Sequence, residues 1–278
     1  MAGDRPLKEQ ITEYIGKASL QLPMFNPIVL ELQEALRDED STPAKIEATI
    51  AKVPALAGQV LRMANSSAFA GLTQVATVKQ AVMRLGMKPV ARLAIAASQM
   101  NLYRSKSALV GVHMGALWRQ AYACAIGASW VAEKTGRPAL AEPAFLAGLL
   151  HDIGKLLILR ALEEIAARES NEFLSAALVE EMLESLHGDL GFALMKRWNL
   201  PETYCTVGRD HHCEQPDPSN VLLAIVRLLD QVCAKMGIGG SADPEMVPAA
   251  SAEAQALGIS EVQLAELEIV LEDSMASA

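Results

Sequence analysis

The chain has 278 residues, 51% hydrophobic and only 4% aromatic, with a formal net charge of −9. That length buries a sizeable core in one large domain or two smaller ones. The acidic balance argues against a dedicated nucleic-acid binder, because counterion release requires a basic surface, though it leaves room for a local basic patch. Charges interrupt every apolar run before the ~18–20 residues of a membrane span. The opening MAGDRPLKEQ lacks the basic-then-apolar pattern of an export signal. Cys124, Cys205, Cys213 and Cys233 show no C-x-x-C spacing and read as reduced thiols in a cytoplasmic protein.

Helical signals run nearly throughout. Asn26-Pro27 reads as an N-cap and first helical position, followed by Ile28, Leu32 and Leu36 at helical spacing. Asp38–Ser41 breaks that helix. Thr42-Pro43 starts the next, and Pro54 a third that ends near Asn65. Thr77 and Gln80 form a capping-box pattern, Gly86 is placed as a stop, and Pro89 begins another helix. Helices then follow over Ala108–Lys134, Phe145–Ile165, Ala176–His187 and Gly191–Trp198, closed by Asn199-Leu-Pro201. A Pro-started helix precedes His211, and another spans Asn220–Met236. Gly237–Ala256, rich in Gly, Ala, Ser and Pro, reads as a loop. Ser260 and Gln263 cap a final acidic helix with Leu264, Leu267 and Leu271 on one stripe. No segment alternates with period two, so no sheet is expected.

The most informative residues are His151 and Asp152, directly after an apolar helical run. An adjacent imidazole and carboxylate can bind one divalent metal, or the carboxylate can bridge two. Only five histidines occur, and His187, His211 and His212 share the second half with this pair. Asp230 interrupts an otherwise apolar helix, where a charge needs a partner: a cation shared with the imidazoles, or Arg227 one turn earlier. Ligands on several helices can converge in a bundle, and Fe, Mn, Zn or Mg would accept such a mixed set. Lys155 is placed either to hold a phosphate in the same cavity or as an ordinary surface lysine. A lone histidine on a helix is weak evidence for a ligand. His113 therefore reads as structural or exposed, Trp118, Trp130 and Trp198 as packing residues, and Glu180–Glu184 as a solvated face.

Together these fragments resemble the HDOD (HD-related output) family of the HD superfamily. The first half contributes Leu22-Pro-x-x-x-Pro27, Val53-Pro-Ala-Leu56, Arg62-Met-Ala-Asn-Ser66 with Phe69 and Gly71, and Gln80-Ala-Val with Leu85-Gly86. The second half adds Leu117-Trp-Arg, Phe145–Lys155, His187 to Gly191, Trp198-Asn-Leu-Pro-Glu202 and His211-His212. The resemblance covers roughly Leu20 to Met236. It implies an all-α multi-helix bundle: an N-terminal helical part (1–107) packed on an HD-like helical part (108–240), then a loop and acidic helix (241–278). It also implies a bacterial signalling protein that acts through a protein partner, with a small phosphorylated ligand as a further partner class.

The ligand pattern of the related HD-GYP phosphodiesterases maps onto His151, Asp152, His187, His211, His212 and Asp230, and their phosphate-facing lysine onto Lys155. Asp152, His187, His211 and His212 match one complete metal position; His151 and Asp230 are left to a second. One departure weakens that second position and another removes a third. Gln120 stands where the first histidine of the pattern is expected, and Ala116 where a third ion would need a glutamate. No Gly-Tyr-Pro follows His212. The expectation is a one-metal or metal-free signalling domain; the alternative is an active metal-dependent phosphohydrolase on a nucleotide or cyclic dinucleotide. Thr77–Gly86 followed by Pro89–Ala97, with Arg84, Lys88 and Arg92, also resembles a helix–turn–helix, against which the acidic charge counts.

Overall fold

Side-chain caps start helices where the sequence places them. Thr42 Oγ1 accepts from Lys45 N at 3.3 Å, and Asn220 Oδ1 from Leu223 N at 3.1 Å. Each satisfies an amide that the first helical turn leaves without a partner, worth ~1 kcal/mol. In the capping-box pattern, Thr77 Oγ1 accepts from Gln80 N at 3.1 Å, while Gln80 Oε1 reaches back one residue further, to Ala76 N at 2.8 Å. Gly86, at φ 89°, then ends that helix.

The computed structural model describes residues 7–16, 25–38, 40–66, 74–169 and 175–275. Leu22, Pro23, Phe69 and Gly71 of the family fragments lie outside these residues. Among the described residues there is no strand. The helices are α1 (Leu7–Gly16), α2 (Ile28–Arg37), α3 (Pro43–Ala51), α4 (Pro54–Ala64), α5 (Val78–Leu85), α6 (Met87–Met100) and α7 (Ala108–Lys134). They continue with α8 (Ala141–Leu150), α9 (Ile153–Glu169), α10 (Ala176–Arg197), α11 (Glu202–Asp210), α12 (Val221–Met236), α13 (Ala252–Leu257) and α14 (Glu261–Met275).

The long α7 is the hub. It packs on α8, α9, α12 and α14, while α2 to α6 pack among themselves. Small residues make the hub possible. A Cβ on Gly148 would lie 2.5 Å from Cys124 O, so α8 meets α7 backbone to backbone. Buried apolar side chains form one cluster from Ile11 to Leu271. Polar contacts tie the early helices to α8. Arg92 Nη2 donates to Glu142 Oε1 at 2.8 Å and to Glu133 Oε1 at 3.0 Å. Gln33 Nε2 donates to Glu142 O at 3.2 Å.

Several expected elements differ. Phe145–Ile165 is not one helix: the chain turns at His151–Asp152, between α8 and α9. The apolar periodicity continues across the turn, so the pattern hides it. Conversely, Ala176–Trp198 does not break, because Gly188 and Gly191 lie inside α10. A Cβ on Gly188 would come 3.0 Å from Arg209 O; this glycine admits the backbone of α11 and is no helix stop. The α6 helix starts at Met87, with Pro89 in its first turn, where a missing N–H costs nothing. Within the expected loop Gly237–Ala256, Ser251 Oγ accepts from Ala254 N at 3.0 Å and starts α13. α1, which the sequence reading leaves out, packs on α9 through the buried Ile11.

The tightest contact lies between α9 and α10. A Cβ on Gly154 would overlap His187 O and lie 2.7 Å from Gly191 N. Both obstacles are backbone, so neither can rotate away. Gly154→Ala is therefore expected to destabilise the fold by ~3 kcal/mol through overpacking. Urea denaturation checks this; a midpoint equal to that of the parent protein would show that the two helices do not meet here.

Candidate metal centre

The turn that interrupts the predicted helix is what presents the His–Asp pair. His151 and Asp152 occupy it, His187 projects from α10, His211 and His212 follow α11, and Asp230 lies on α12. His151, Asp152, His187 and His211 are buried, whereas the His212 side chain is half exposed. The ligand atoms of Asp152, His187, His211 and His212 all lie within 4.8 Å of one another.

Tautomers follow from the backbone. His187 Nδ1 lies 2.7 Å from Leu183 O, His211 Nδ1 3.0 Å from Gly208 O, and His151 Nδ1 2.7 Å from Gly148 O. A carbonyl only accepts, so each Nδ1 carries the proton, and in the neutral form of each ring Nε2 aims a lone pair inward. His187 Nε2 and His211 Nε2 are 3.2 Å apart. Asp152 Oδ1 sits 3.3 Å from His211 Nε2 and 3.6 Å from His187 Nε2. No hydrogen-bond donor among the described residues satisfies Asp152 Oδ1 or His151 Nε2. Buried acceptors thus face one another with no proton between them, a costly arrangement unless a cation sits there.

The spacing matches that need. Metal–ligand bonds of ~2.0–2.1 Å in a tetrahedron put neighbouring donors roughly 3.3 Å apart. A ring N–H bonded to a backbone carbonyl is also how metal-binding histidines are oriented. These groups could hold a divalent metal ion, and a mixed imidazole–carboxylate set is one that such cations accept.

Electrostatics keep the set ready to bind. Burial, only partly offset by Asp152, pushes His187 down to about 4, so the ring is neutral at pH 7. Burial likewise lowers His151, and it takes His212 down to about 4. Burial, the largest influence, disfavours the Asp152 carboxylate, but the Lys155 ammonium and the neighbouring imidazoles together outweigh it and hold the group well below the usual carboxylate range.

On the other side of Asp152 the geometry changes. Asp152 Oδ2 accepts from Lys155 Nζ at 2.6 Å, and Asp230 Oδ1 accepts from Gln120 Nε2 at 2.8 Å. His151 Nε2 is 3.5 Å from Asp152 Oδ2 and 4.0 Å from Asp230 Oδ1. His212 Nδ1 stands 3.8 Å from Asp230 Oδ2. Arg227, the alternative partner for Asp230, instead binds Glu253 at 2.6 Å and donates to His211 O and Cys213 O at 2.8 and 3.0 Å. It pins the turn that carries the two histidines, a role no local sequence signal announces.

A cavity of about 480 Å³ opens onto the cluster, lined by Gln120, Lys155, His187, His212, Asp230 and Gly239 among others. A second, of about 260 Å³, adjoins it across Gln120 and Lys155 and includes His113 and Leu159. Glu184 lines both, and Glu180, Glu181 and Glu184 are exposed, as expected of a solvated face. His113 borders the second cavity, which its isolated position in the sequence could not reveal. Trp118 is buried against Tyr122, with ring centroids 5.7 Å apart, as a packing residue. Two of the three basic residues of the helix–turn–helix reading are engaged internally: Arg92 by Glu142 and Glu133, and Arg84 by Ala64 O.

The HDOD domain model matches residues 22–214. An uncharacterised protein of Treponema pallidum (strain Nichols) is 27% identical over 196 residues, 69% of this chain; the chain spans only 37% of that relative's length. Among solved structures, an HDOD domain protein of unknown function from Geobacter sulfurreducens superposes with a TM-score of 0.73 at 23% identity, covering 97% of this chain and 96% of its own. A candidate signal transduction protein from Marinobacter aquaeolei VT8 gives 0.68 at 24% identity, covering 97% of this chain and 63% of its own. These likenesses show the all-α fold. Among the described residues, no helix is long and apolar enough to cross a membrane.

The lowered His187 has a measurable consequence. The unfolded chain takes up that proton near pH ~6.5, the folded protein only at about 4. Between those values the unfolded state binds more protons, so stability is lost as pH falls. The melting temperature of metal-free protein is expected to drop steadily across this window, with a shallower slope for His187→Gln. Equal slopes would mean that the ring is not held neutral by burial.

Proposed function

The chain belongs to the HDOD domain family, and on that premise we propose that it is a bacterial regulatory domain holding one divalent cation. Asp152, His187, His211 and His212 are the ligands in this reading. The observation that carries it is the acceptor-only cluster: inward Nε2 lone pairs and a buried carboxylate oxygen with no donor between them. A divalent cation would supply charge neutralisation there and Lewis acidity toward an oxygen of a bound ligand.

The protein's own groups do the rest. Leu183 O and Gly208 O fix the imidazoles. Arg227 fixes the His211 turn through two carbonyls. Residues 108–240 act as the cation-holding part and residues 1–107 as the surface for a signalling protein partner. Within 241–278, α14 braces α7 and α12 through Lys134–Glu266 and Lys235–Glu268 ion pairs of 2.9 and 2.6 Å. The four cysteines are free thiols, in keeping with work in the cytoplasm.

A second reading, a phosphohydrolase acting on a nucleotide or cyclic dinucleotide, is favoured by one feature. The 480 Å³ cavity is large enough for a small phosphorylated ligand and opens beside the cluster. Against it stands Gln120, which takes a ligand's place and donates to Asp230.

Both readings are open to direct measurement. Tag-free protein is expected to hold about one divalent ion per chain by mass spectrometry of the metal content. His187→Ala and His211→Ala should each remove it while the helical circular dichroism persists. Unchanged metal content in both variants would end the metal reading. Turnover of any phosphodiester in a panel with Mn²⁺, abolished by Asp152→Ala, would replace the regulatory reading by the hydrolytic one.

A further inference from the structure

We infer that Lys155 and Gln120 are built-in replacements for a second cation, so that the site closes at one ion. The inference rests on the single-ion reading above but concerns the opposite side of Asp152. A neighbouring ion there would need Asp152 Oδ2, Asp230 Oδ1 and His151 Nε2. Both carboxylate oxygens already have an internal donor: Lys155 Nζ at 2.6 Å and Gln120 Nε2 at 2.8 Å. What remains without an internal donor is His151 Nε2 and Asp230 Oδ2, two groups that must hold the ion against the Lys155 ammonium.

Charge points the same way. Two carboxylates and one ammonium meet at this cluster, so one divalent ion already takes it past neutrality. A second would stand against the Lys155 ammonium, which is largely shielded from solvent and shares an oxygen with it. Like charges brought together at low dielectric repel strongly.

Gln120 is also held from behind. Gly239, at φ 90°, packs so closely that a Cβ there would lie 2.7 Å from Gln120 Cβ and 3.0 Å from its Oε1. The glutamine therefore sits between the segment after α12 and Asp230. Its amide N–H₂ faces the carboxylate, where a metal-binding histidine would present a lone pair. Lys155, in turn, is a counter-charge of the resting site and not a free phosphate ligand.

Metal counting tests this without any assay of activity. Parent protein, Gln120→His/Lys155→Met, and the same double variant carrying His151→Ala are equilibrated with Mn²⁺ and freed of excess ion. The double variant is expected to bind one more Mn²⁺ per chain than the parent, to show the spin–spin broadening of a coupled pair in its electron paramagnetic resonance spectrum, and to lose both with His151→Ala. A parent that binds two ions, or a folded double variant that gains none, overturns the inference. Should the double variant not fold, Gln120→His alone serves. It keeps the Lys155–Asp152 pair and should gain the ion only at higher Mn²⁺; no gain at millimolar Mn²⁺ overturns the inference equally. A parent with no ion beside a variant with one refutes the single-ion reading but upholds the closure of the second position, so the two failures differ.

Discussion

The backbone contact between α9 and α10 governs the arrangement of this molecule. Gly154 lies against His187 O and Gly191 N with no room for a side chain. That contact brings the first turn of α9 onto the middle of α10, and with it Asp152 onto the ring of His187. The turn at His151–Asp152 exists because α8 packs on α7 while α9 must reach α10. One glycine thus lets α9 approach α10 closely enough for the α8–α9 junction to face inward.

Once the junction faces inward, desolvation decides the chemistry. Burial favours neutral imidazoles, and the carbonyls of Gly148, Leu183 and Gly208 choose their tautomer. These carbonyls lie within or at the end of helices, three or four residues before the ring they orient, so helix geometry alone sets the direction of each lone pair. Asp152 stays ionised in the same environment because the Lys155 ammonium, in the first turn of α9, and the neighbouring imidazoles together outweigh burial. The two oxygens of Asp152 consequently meet different neighbours: imidazole nitrogens on one side, an ammonium on the other.

Much of this was legible in the sequence, and the limits have physical causes. Adjacent His151–Asp152 and His211–His212, with His187 between them, marked the cluster, since histidine is scarce and its pairing in sequence constrains its placement in space. The caps at Thr42, Thr77 and Asn220 were readable because a cap needs only local geometry. Gly188 and Gly191 misled for the opposite reason. Glycine stops an isolated helix, yet here it admits a neighbouring backbone, a demand set by residues far away in the chain. Gln120 was recognised as a departure from the metal-binding pattern, but its bond to Asp230 required the α7–α12 packing. Arg227 reads in sequence as a partner for Asp230; its actual partners, Glu253 and the carbonyls of His211 and Cys213, follow only from tertiary packing.

The clamp at the start of α8 bears on how the two halves of the chain communicate. Glu142 is gripped by Arg92 and by Gln33, from α6 and α2, and the other end of α8 leads directly into His151. Ten helical residues make a strut about 15 Å long, stiff on that scale and buried along nearly its whole length. The place of the imidazole end is thereby tied to helices that contribute no ligand to it: α2 and α6 hold the first turn of α8, and His151 follows its last.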